Sequence, residues 1–252
     1  MNAPLALETR NLVKRFGGFT ATNDVSLRLA GGERRALIGP NGAGKTTLIN
    51  LLSGYLEPSA GQVLLDGEDV TRLAQHRRVV RGLARTFQIN SLFPDLSVLE
   101  GVVMAVGQRR GLGARFWRAV GTHGEAVDEA AQLLQTLGLL DVARQPARML
   151  AYGRQRLLEI ALALALRPRV LLLDEPAAGV PTGESRALFE IIAELPRDVT
   201  IVLIEHDMDL VFRFAERISV LVNGAILTEG TPEQIAQDPQ VREVYLGSTL
   251  HA

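Results

Sequence analysis

Hydrophobic and polar positions along this chain change rhythm as it runs from one terminus to the other. Leu5 to Val13, Asp24 to Leu29 and Arg34 to Ile38 are short apolar-rich runs, broken by Gly31-Gly32 and followed by a glycine-rich turn. That pattern predicts strands. Gln62 to Leu65 and a short return near Val70 are joined by Asp66-Gly67, a dipeptide suited to a tight hairpin turn. From about Pro94 to Met149 the spacing becomes helical, with Val98, Val102, Val103 and Val106, then Ala130, Leu133, Leu134 and Leu137. The remainder alternates: helix Gln155 to Leu166, apolar strand Val170 to Leu173, helix Ser185 to Glu194, apolar strand Thr200 to Ile204, and a hairpin at Asn223-Gly224. Continuous apolar strands between helices belong to a parallel sheet covered on both faces. The expectation is an α/β chain with an antiparallel β flank, forming a single domain over 1–252. Within it 1–93 and 155–252 make the core and 94–154 an inserted helical subdomain.

Composition narrows the function. The 252 residues are 47% hydrophobic and carry 27 Lys and Arg against 28 Asp and Glu, a formal charge of -1. Such a balance provides no general positive field, so a broad nucleic-acid binder is disfavoured. With no cysteine there is no disulfide framework, thiolate nucleophile or thiolate metal site. No apolar run approaches the roughly 20 residues a membrane-spanning helix needs, and Met1 to Thr9 lacks the pattern of a signal peptide. A reducing cytoplasm is the expected home.

Chemistry concentrates after the third predicted strand. Gly39-Pro40-Asn41-Gly42-Ala43-Gly44-Lys45-Thr46 fits G-x-x-x-x-G-K-[ST] at every required position, between apolar Ala36 to Ile38 and helical Thr47 to Leu52. Glycines let the backbone curl until successive N–H groups converge on a phosphate, and the following helix N-terminus adds positive dipole. Lys45 is expected on the β and γ oxygens, and the Thr46 hydroxyl on Mg2+, a hard ion that prefers oxygen. Downstream, Val170 to Leu173 runs into Asp174-Glu175-Pro176, a buried strand delivering two carboxylates at its C-terminal end, where ligands of open α/β sheets collect. Asp174 is expected to hold Mg2+, and Glu175 to polarise the attacking water. A P-loop NTPase core is the implied fold.

Between these motifs Leu150-Ala151-Tyr152-Gly153-Arg154-Gln155-Arg156 resembles the signature loop of ATP-binding-cassette (ABC) ATPases. Thr86-Phe87-Gln88 resembles their Q-loop, Ile204-Glu205-His206-Asp207 their switch histidine, and Phe16 falls where the family carries an adenine-stacking aromatic. Arg85-Thr86-Phe87-Gln88, Leu92-Phe93-Pro94, the Ala-Tyr-Gly signature, Glu175 to Gly179, Glu205-His206-Asp207-Met208 and Val241 to Gly247 are similar to ATP-binding subunits of branched-chain amino acid importers (LivG type). Relatives serving urea or amides share much of that wording. The resemblance implies an ATPase that binds ATP and Mg2+. It implies two such subunits head to tail, as a homodimer or with a sister ATPase. Ala151, Tyr152 and Gly153 would then touch the ATP held by the partner's Gly39 to Thr47 loop. Gln88 would link Mg2+ or the attacking water to the helical subdomain, and His206 would contact the γ-phosphate. Integral membrane permease subunits, and indirectly a solute-binding protein, are the implied partners, with this chain peripheral on the cytoplasmic face. Two rivals are a non-transport ABC ATPase on ribosomes or DNA, opposed by the short cassette and near-zero charge, and a scaffold that binds ATP without turnover.

The chain departs from the common pattern in three places. Ala151 replaces a serine, at a cost of roughly 1 kcal/mol for one lost hydrogen bond. Arg154 stands where Gln is usual, free to supply charge or to face solvent. Val180-Pro181 replaces an Asp or Asn, and Pro181 has no N–H to donate. Blander readings complete the list: Phe16 as ordinary core, His76, His123 and His251 in solvent, Arg109 to Arg118 as a solvated insertion rather than a membrane contact, and Glu125, Asp128 and Glu129 as a helix start and exposed face.

Overall fold

A computed structural model describes residues 4–86, 93–112 and 124–247. The chain divides into two compact units, one formed by Met1–Arg85, Arg169–Glu175 and Pro196–Ala252, the other by Thr86–Pro168 and Pro176–Leu195. The second unit therefore includes the helices around 152–164 and 182–193 as well as the segment 94–154.

The first unit contains two sheets. Strands β1 (Leu5–Phe16), β2 (Phe19–Val25), β3 (Arg28–Ala30), β5 (Ala60–Leu65) and β6 (Glu68–Asp69) form an antiparallel flank in the order β2-β1-β5-β6, with β3 also on β1. The Asp66-Gly67 turn has φ of 49° and 80°, the left-handed pair that a two-residue hairpin demands. The expected strand Asp24 to Leu29 is in fact split. Asp24 takes φ 54°, a conformation Asp tolerates, and ends β2 one residue later. Buried Thr9 bridges the gap, its hydroxyl donating to the Val25 carbonyl and accepting from the Leu27 N–H, both at 2.9 Å. Phe19 to Asn23, too polar to read as a strand, is held by pairing with β1.

The second sheet runs β11-β10-β4-β9-β8-β7, built from β4 (Arg34–Ile38), β7 (Leu83–Arg85), β8 (Val170–Asp174), β9 (Thr200–Ile204), β10 (Arg217–Val222) and β11 (Ala225–Gly230). All neighbours are parallel except the β10–β11 hairpin, turned at Asn223-Gly224 with φ 49° and 79°. Every residue of β4 and β9 is buried, which explains their near-continuous apolar character. In register, Leu37 pairs with Ile204 and Ile204 with Asp174. The C-terminal ends of β4, β9 and β8 are thus level, and the chain leaves them at neighbouring points of one edge.

Helix α1 (Lys45–Ser53) follows β4 and ends at Gly54 in the left-handed conformation. Its terminal carbonyls meet Arg78 of α2 (Gln75–Val80), which is 1% exposed. Arg78 donates to the carbonyls of Leu51 and Leu52 at 2.7 Å, of Leu73 at 3.0 Å and of Thr71 at 2.8 Å. Burial without a carboxylate in contact lowers its pKa to about 10.

The second unit comprises α3 (Val98–Arg109), α4 (Gly124–Thr136), α5 (Tyr152–Leu164) and α6 (Thr182–Ala193). Ser97 and Glu100 form a capping box that starts α3. The predicted helical stripe is buried at Val98, Val102, Val103, Val106, Ala130, Leu134 and Leu137. Glu129 corrects the reading of an exposed acidic face: its carboxylate pairs with Arg109 at 2.8 Å, Arg110 at 2.7 Å and Arg167 at 2.8 Å, and its side chain is 17% exposed. Burial works to raise its pKa, but the three arginines outweigh it and hold the carboxyl low. Arg109 and Arg110 are accordingly committed to this cluster, while 113–118 of the basic stretch lie outside the described residues.

Candidate functional site

The loop between β4 and α1 uses its glycines at points of close approach. Gly39 has φ 153°, and a Cβ there would lie 2.1 Å from the Leu221 carbonyl oxygen. Gly44, at φ 99°, would bring a Cβ within 2.4 Å of the Ala21 carbonyl oxygen. No side chain fits at either point, so the backbone itself forms the wall. Lys45 is 6% exposed and turns back across the loop, donating from Nζ to the carbonyls of Gly39 at 2.7 Å and Pro40 at 3.0 Å. Burial lowers its pKa, against the opposing charges of Glu175 and Asp174. An added anion would favour the charged form of this lysine.

An open cavity of about 340 Å³ lies over this loop, lined by Phe19, Ala21, Asn41 through Thr47, Glu175 and His206. Its aromatic wall is Phe19, 64% exposed, which the sequence reading overlooked. Phe16, the residue singled out there, is Phe19's cross-strand partner; it is 48% exposed, so not core, and carries the Lys14 ammonium 5.1 Å over its ring. The signal for Phe19 was its i, i+2 relation to Ala21 on the strand that follows the Gly17-Gly18 turn, visible only once β2 is recognised as a strand.

Two carboxylates leave β8 with different surroundings. Asp174 accepts from Arg85 Nη2 at 2.7 Å, and Arg85 also donates to the Asn50 side-chain oxygen at 2.6 Å. Glu175 takes φ 50°, a left-handed conformation unfavourable for a side-chain-bearing residue, and its N–H donates to the Ile204 carbonyl at 2.9 Å. Its Oε1 lies 2.5 Å from His206 Nε2, with both side chains partly exposed at the cavity. His206 is set by its own chain neighbours. Its N–H donates to buried Glu205 at 2.7 Å, and Asp207 caps α7 (Met208–Phe214) by accepting from the Asp209 and Leu210 N–H groups.

These oxygen donors suit magnesium. The Thr46 hydroxyl is exposed at the helix start, Asp174 keeps a second carboxylate oxygen besides the one held by Arg85, and no cluster of three or more His, Cys, Asp or Glu exists among the described residues. Such a sparse, hard set fits an ion completed by water and phosphate oxygens.

The signature residues lie in the second unit. Ala151 is the N-cap of α5 and supplies no side-chain cap, leaving the first-turn N–H groups of Tyr152, Gly153 and Arg154 without one. Arg154 pairs with Asp141 at 2.7 Å instead of standing free. Pro181 occupies the N-cap of α6, where the helix needs no N–H from it. His76 is exposed; Phe87, Gln88, Leu92, His123 and His251 lie outside the described residues.

Residues 22–178 match the family model described as ABC transporter, and residues 225–251 match that of the branched-chain amino acid ATP-binding cassette transporter. The chain is 42% identical to the high-affinity branched-chain amino acid transport ATP-binding protein BraF of Pseudomonas aeruginosa, over 98% of this chain and 99% of BraF. It is 44% identical to LivG of Escherichia coli, a protein of the same description, over the same shares of the two chains. Among solved structures, an ATP-binding cassette of an ABC transporter in its ADP conformation superposes with a TM-score of 0.85 at 33% identity, covering 96% of this chain and 99% of that one. Its phosphate loop, sheet order and full-length likeness together make this chain a member of the ABC transporter family, an ATP-binding cassette of the branched-chain amino acid group.

Proposed function

We propose that this chain is the ATP-hydrolysing subunit of an importer for branched-chain amino acids, seated on permease subunits at the cytoplasmic face of the membrane and served by a separate solute-binding protein. The observation that carries the enzymatic part is the cavity in which Lys45 and the rest of the Asn41 to Thr47 loop face the Glu175–His206 pair. The cargo is supported by the match of 225–251 and the names of the relatives. No described helix is long and apolar enough to cross a membrane, which is consistent with separate permease chains.

In this reading the N–H groups of Asn41 to Thr47 and the α1 dipole cradle the β-phosphate of ATP. Lys45 exchanges the Gly39 and Pro40 carbonyls for β and γ oxygens, and Phe16 and Phe19 offer aromatic surface to adenine. Thr46, Asp174 and Gln88 would hold Mg2+, which neutralises charge on the phosphates. Glu175 accepts a proton from a water whose oxygen bonds to the γ-phosphorus as the bond to the β–γ bridging oxygen breaks, giving ADP and phosphate. His206, 2.5 Å away, orients that carboxylate and approaches the γ-phosphate. Ala151, Tyr152 and Gly153 close on the γ-phosphate bound by a second cassette, so hydrolysis requires two.

The test is to express Glu175→Gln, trap it with ATP and Mg2+, identify what copurifies from gently solubilised membranes, and measure leucine uptake by vesicles holding the corresponding complex of the unsubstituted chain. Permease subunits and ATP-dependent leucine uptake by the unsubstituted complex are expected. A ribosomal or soluble partner overturns the transport reading; permease subunits that move urea or an amide instead overturn only the cargo.

A further inference from the structure

In the second unit Arg156 and Glu159 are buried charged residues that take no part in the chemistry above. Arg156 lies on α5, one turn beyond Tyr152, with its side chain 9% exposed. Its Nη1 donates to Glu159 at 3.0 Å, and its Nη2 donates to the Tyr152 hydroxyl at 3.0 Å and to the Ala178 carbonyl at 3.4 Å. The guanidinium carbon also stands 5.2 Å from the Tyr152 ring centroid. That ring in turn packs on Gly179. Gly179 has φ 77°, and a Cβ there would come within 3.1–3.2 Å of the tyrosine ring and hydroxyl.

This arrangement is costly for the fold. Arg156 Nε and Glu159 Oε1 are both buried without a hydrogen-bond partner. Burial pushes the Glu159 carboxyl up, against the pull of Arg156. Replacing such a pair with apolar side chains is often neutral or stabilising. Stability is therefore a poor reason for the pair to be there, and its geometry suggests another. One planar fork holds the first turn of α5, where the signature residues sit, to the loop Ala178-Gly179 just downstream of Glu175.

We propose that Arg156 is a positioning residue that locks the signature turn, Ala151 to Gly153, to the loop after Glu175, so that the two ATP sites of an assembled pair act together. In that reading the signature turn serves the partner's ATP and Glu175 the chain's own, so tying the turn to the Ala178-Gly179 loop, which continues the chain from Glu175, makes each site sense the other. This rests on the reading in which two cassettes share their nucleotides.

The experiment uses the full transporter complex in membranes and compares Arg156→Gln, Tyr152→Phe and Glu159→Gln with the unsubstituted chain. The dependence of ATPase rate on ATP, nucleotide affinity of the isolated full-length chain, and Tm are measured for each. For Arg156→Gln, nucleotide affinity is expected within about twofold of normal, because the phosphate loop is untouched, while kcat falls about tenfold and the Hill coefficient drops to about 1. Tyr152→Phe, which removes one acceptor of the fork, should move the same way by less. Glu159→Gln keeps the link to Tyr152 and Ala178, and should shift Tm while leaving the Hill coefficient unchanged. If Arg156→Gln lowers Tm but retains normal kcat per folded protein and normal cooperativity, Arg156 merely packs the helix and the proposal fails. If the unsubstituted complex already shows a Hill coefficient of about 1, the shared-nucleotide reading fails, a result seen before any variant is compared.

Discussion

The phosphate loop of the first unit and the signature turn of the second both precede a helix, yet they are built on opposite principles. Gly39 and Gly44 are pinned against the carbonyls of Leu221 and Ala21, Lys45 is buried and doubly hydrogen-bonded, and a cavity of about 340 Å³ opens above them. Around the signature, Ala151 leaves its helix uncapped, Tyr152 is 38% exposed, and Arg154 turns aside to Asp141. A loop that must grip phosphate by itself carries its own packing constraints. In the proposed reading, the signature turn is completed by a second subunit and leaves its donors open, while buried Gly153 and the Arg156–Tyr152 hydrogen bond tie it to its own unit.

That contrast can be broken at several points, and the largest effect belongs to the lysine. Lys45→Ala should abolish productive ATP binding, read by equilibrium binding of a fluorescent nucleotide, because no other side chain in the loop supplies a cation; retained micromolar affinity would remove Lys45 from its assigned role. Next comes Glu175→Gln, which should bind ATP normally and lose turnover by about 10²–10⁴, measured as phosphate release in a single turnover. Near-normal release would refute the assignment of the base. The third is Arg78→Met. With the carbonyls at the end of α1 left unmet, unfolding in urea should show a loss of about 2–4 kcal/mol, with nucleotide affinity falling alongside it. A Tm equal to that of the unsubstituted chain would mean water replaces the guanidinium. The smallest change sharpens the comparison from the other side: Ala151→Ser should add the missing cap of α5, worth about 1 kcal/mol and a rise of about 2–4 °C in Tm. Unchanged Tm would mean the first turn of α5 is already satisfied by other means.

How far the site could be read in advance depended on distance along the chain. The glycine-lysine loop, the Asp174-Glu175 strand end and the Asp66-Gly67 and Asn223-Gly224 turns are local, so their residue types carry their geometry with them. Phe19 was missed because a polar run after Gly17-Gly18 shows no apolar alternation until it is paired with β1. Glu129 read as solvent-facing because its three arginines come from Arg109, Arg110 and Arg167, outside its own helix. Arg85 looked like a flanking residue of a motif, and only the pairing of β7 with β8 brings it to Asp174.

By itself the sequence determined the identity and order of the chemical groups: a phosphate-cradling loop, a paired strand end, a histidine after the next strand, and a helix entered through Ala-Tyr-Gly. Short-range backbone preferences suffice for that, since turns, caps and buried strands are written in adjacent residues. Tertiary structure alone decided which groups face one another. The level ends of β4, β9 and β8, the His206–Glu175 contact, the Arg78 cap on α1 and the Arg156 link from Tyr152 to Ala178 all join segments separated along the chain. Their geometry arises from sheet register and the need to satisfy buried polar groups, and neither can be settled until distant segments have packed.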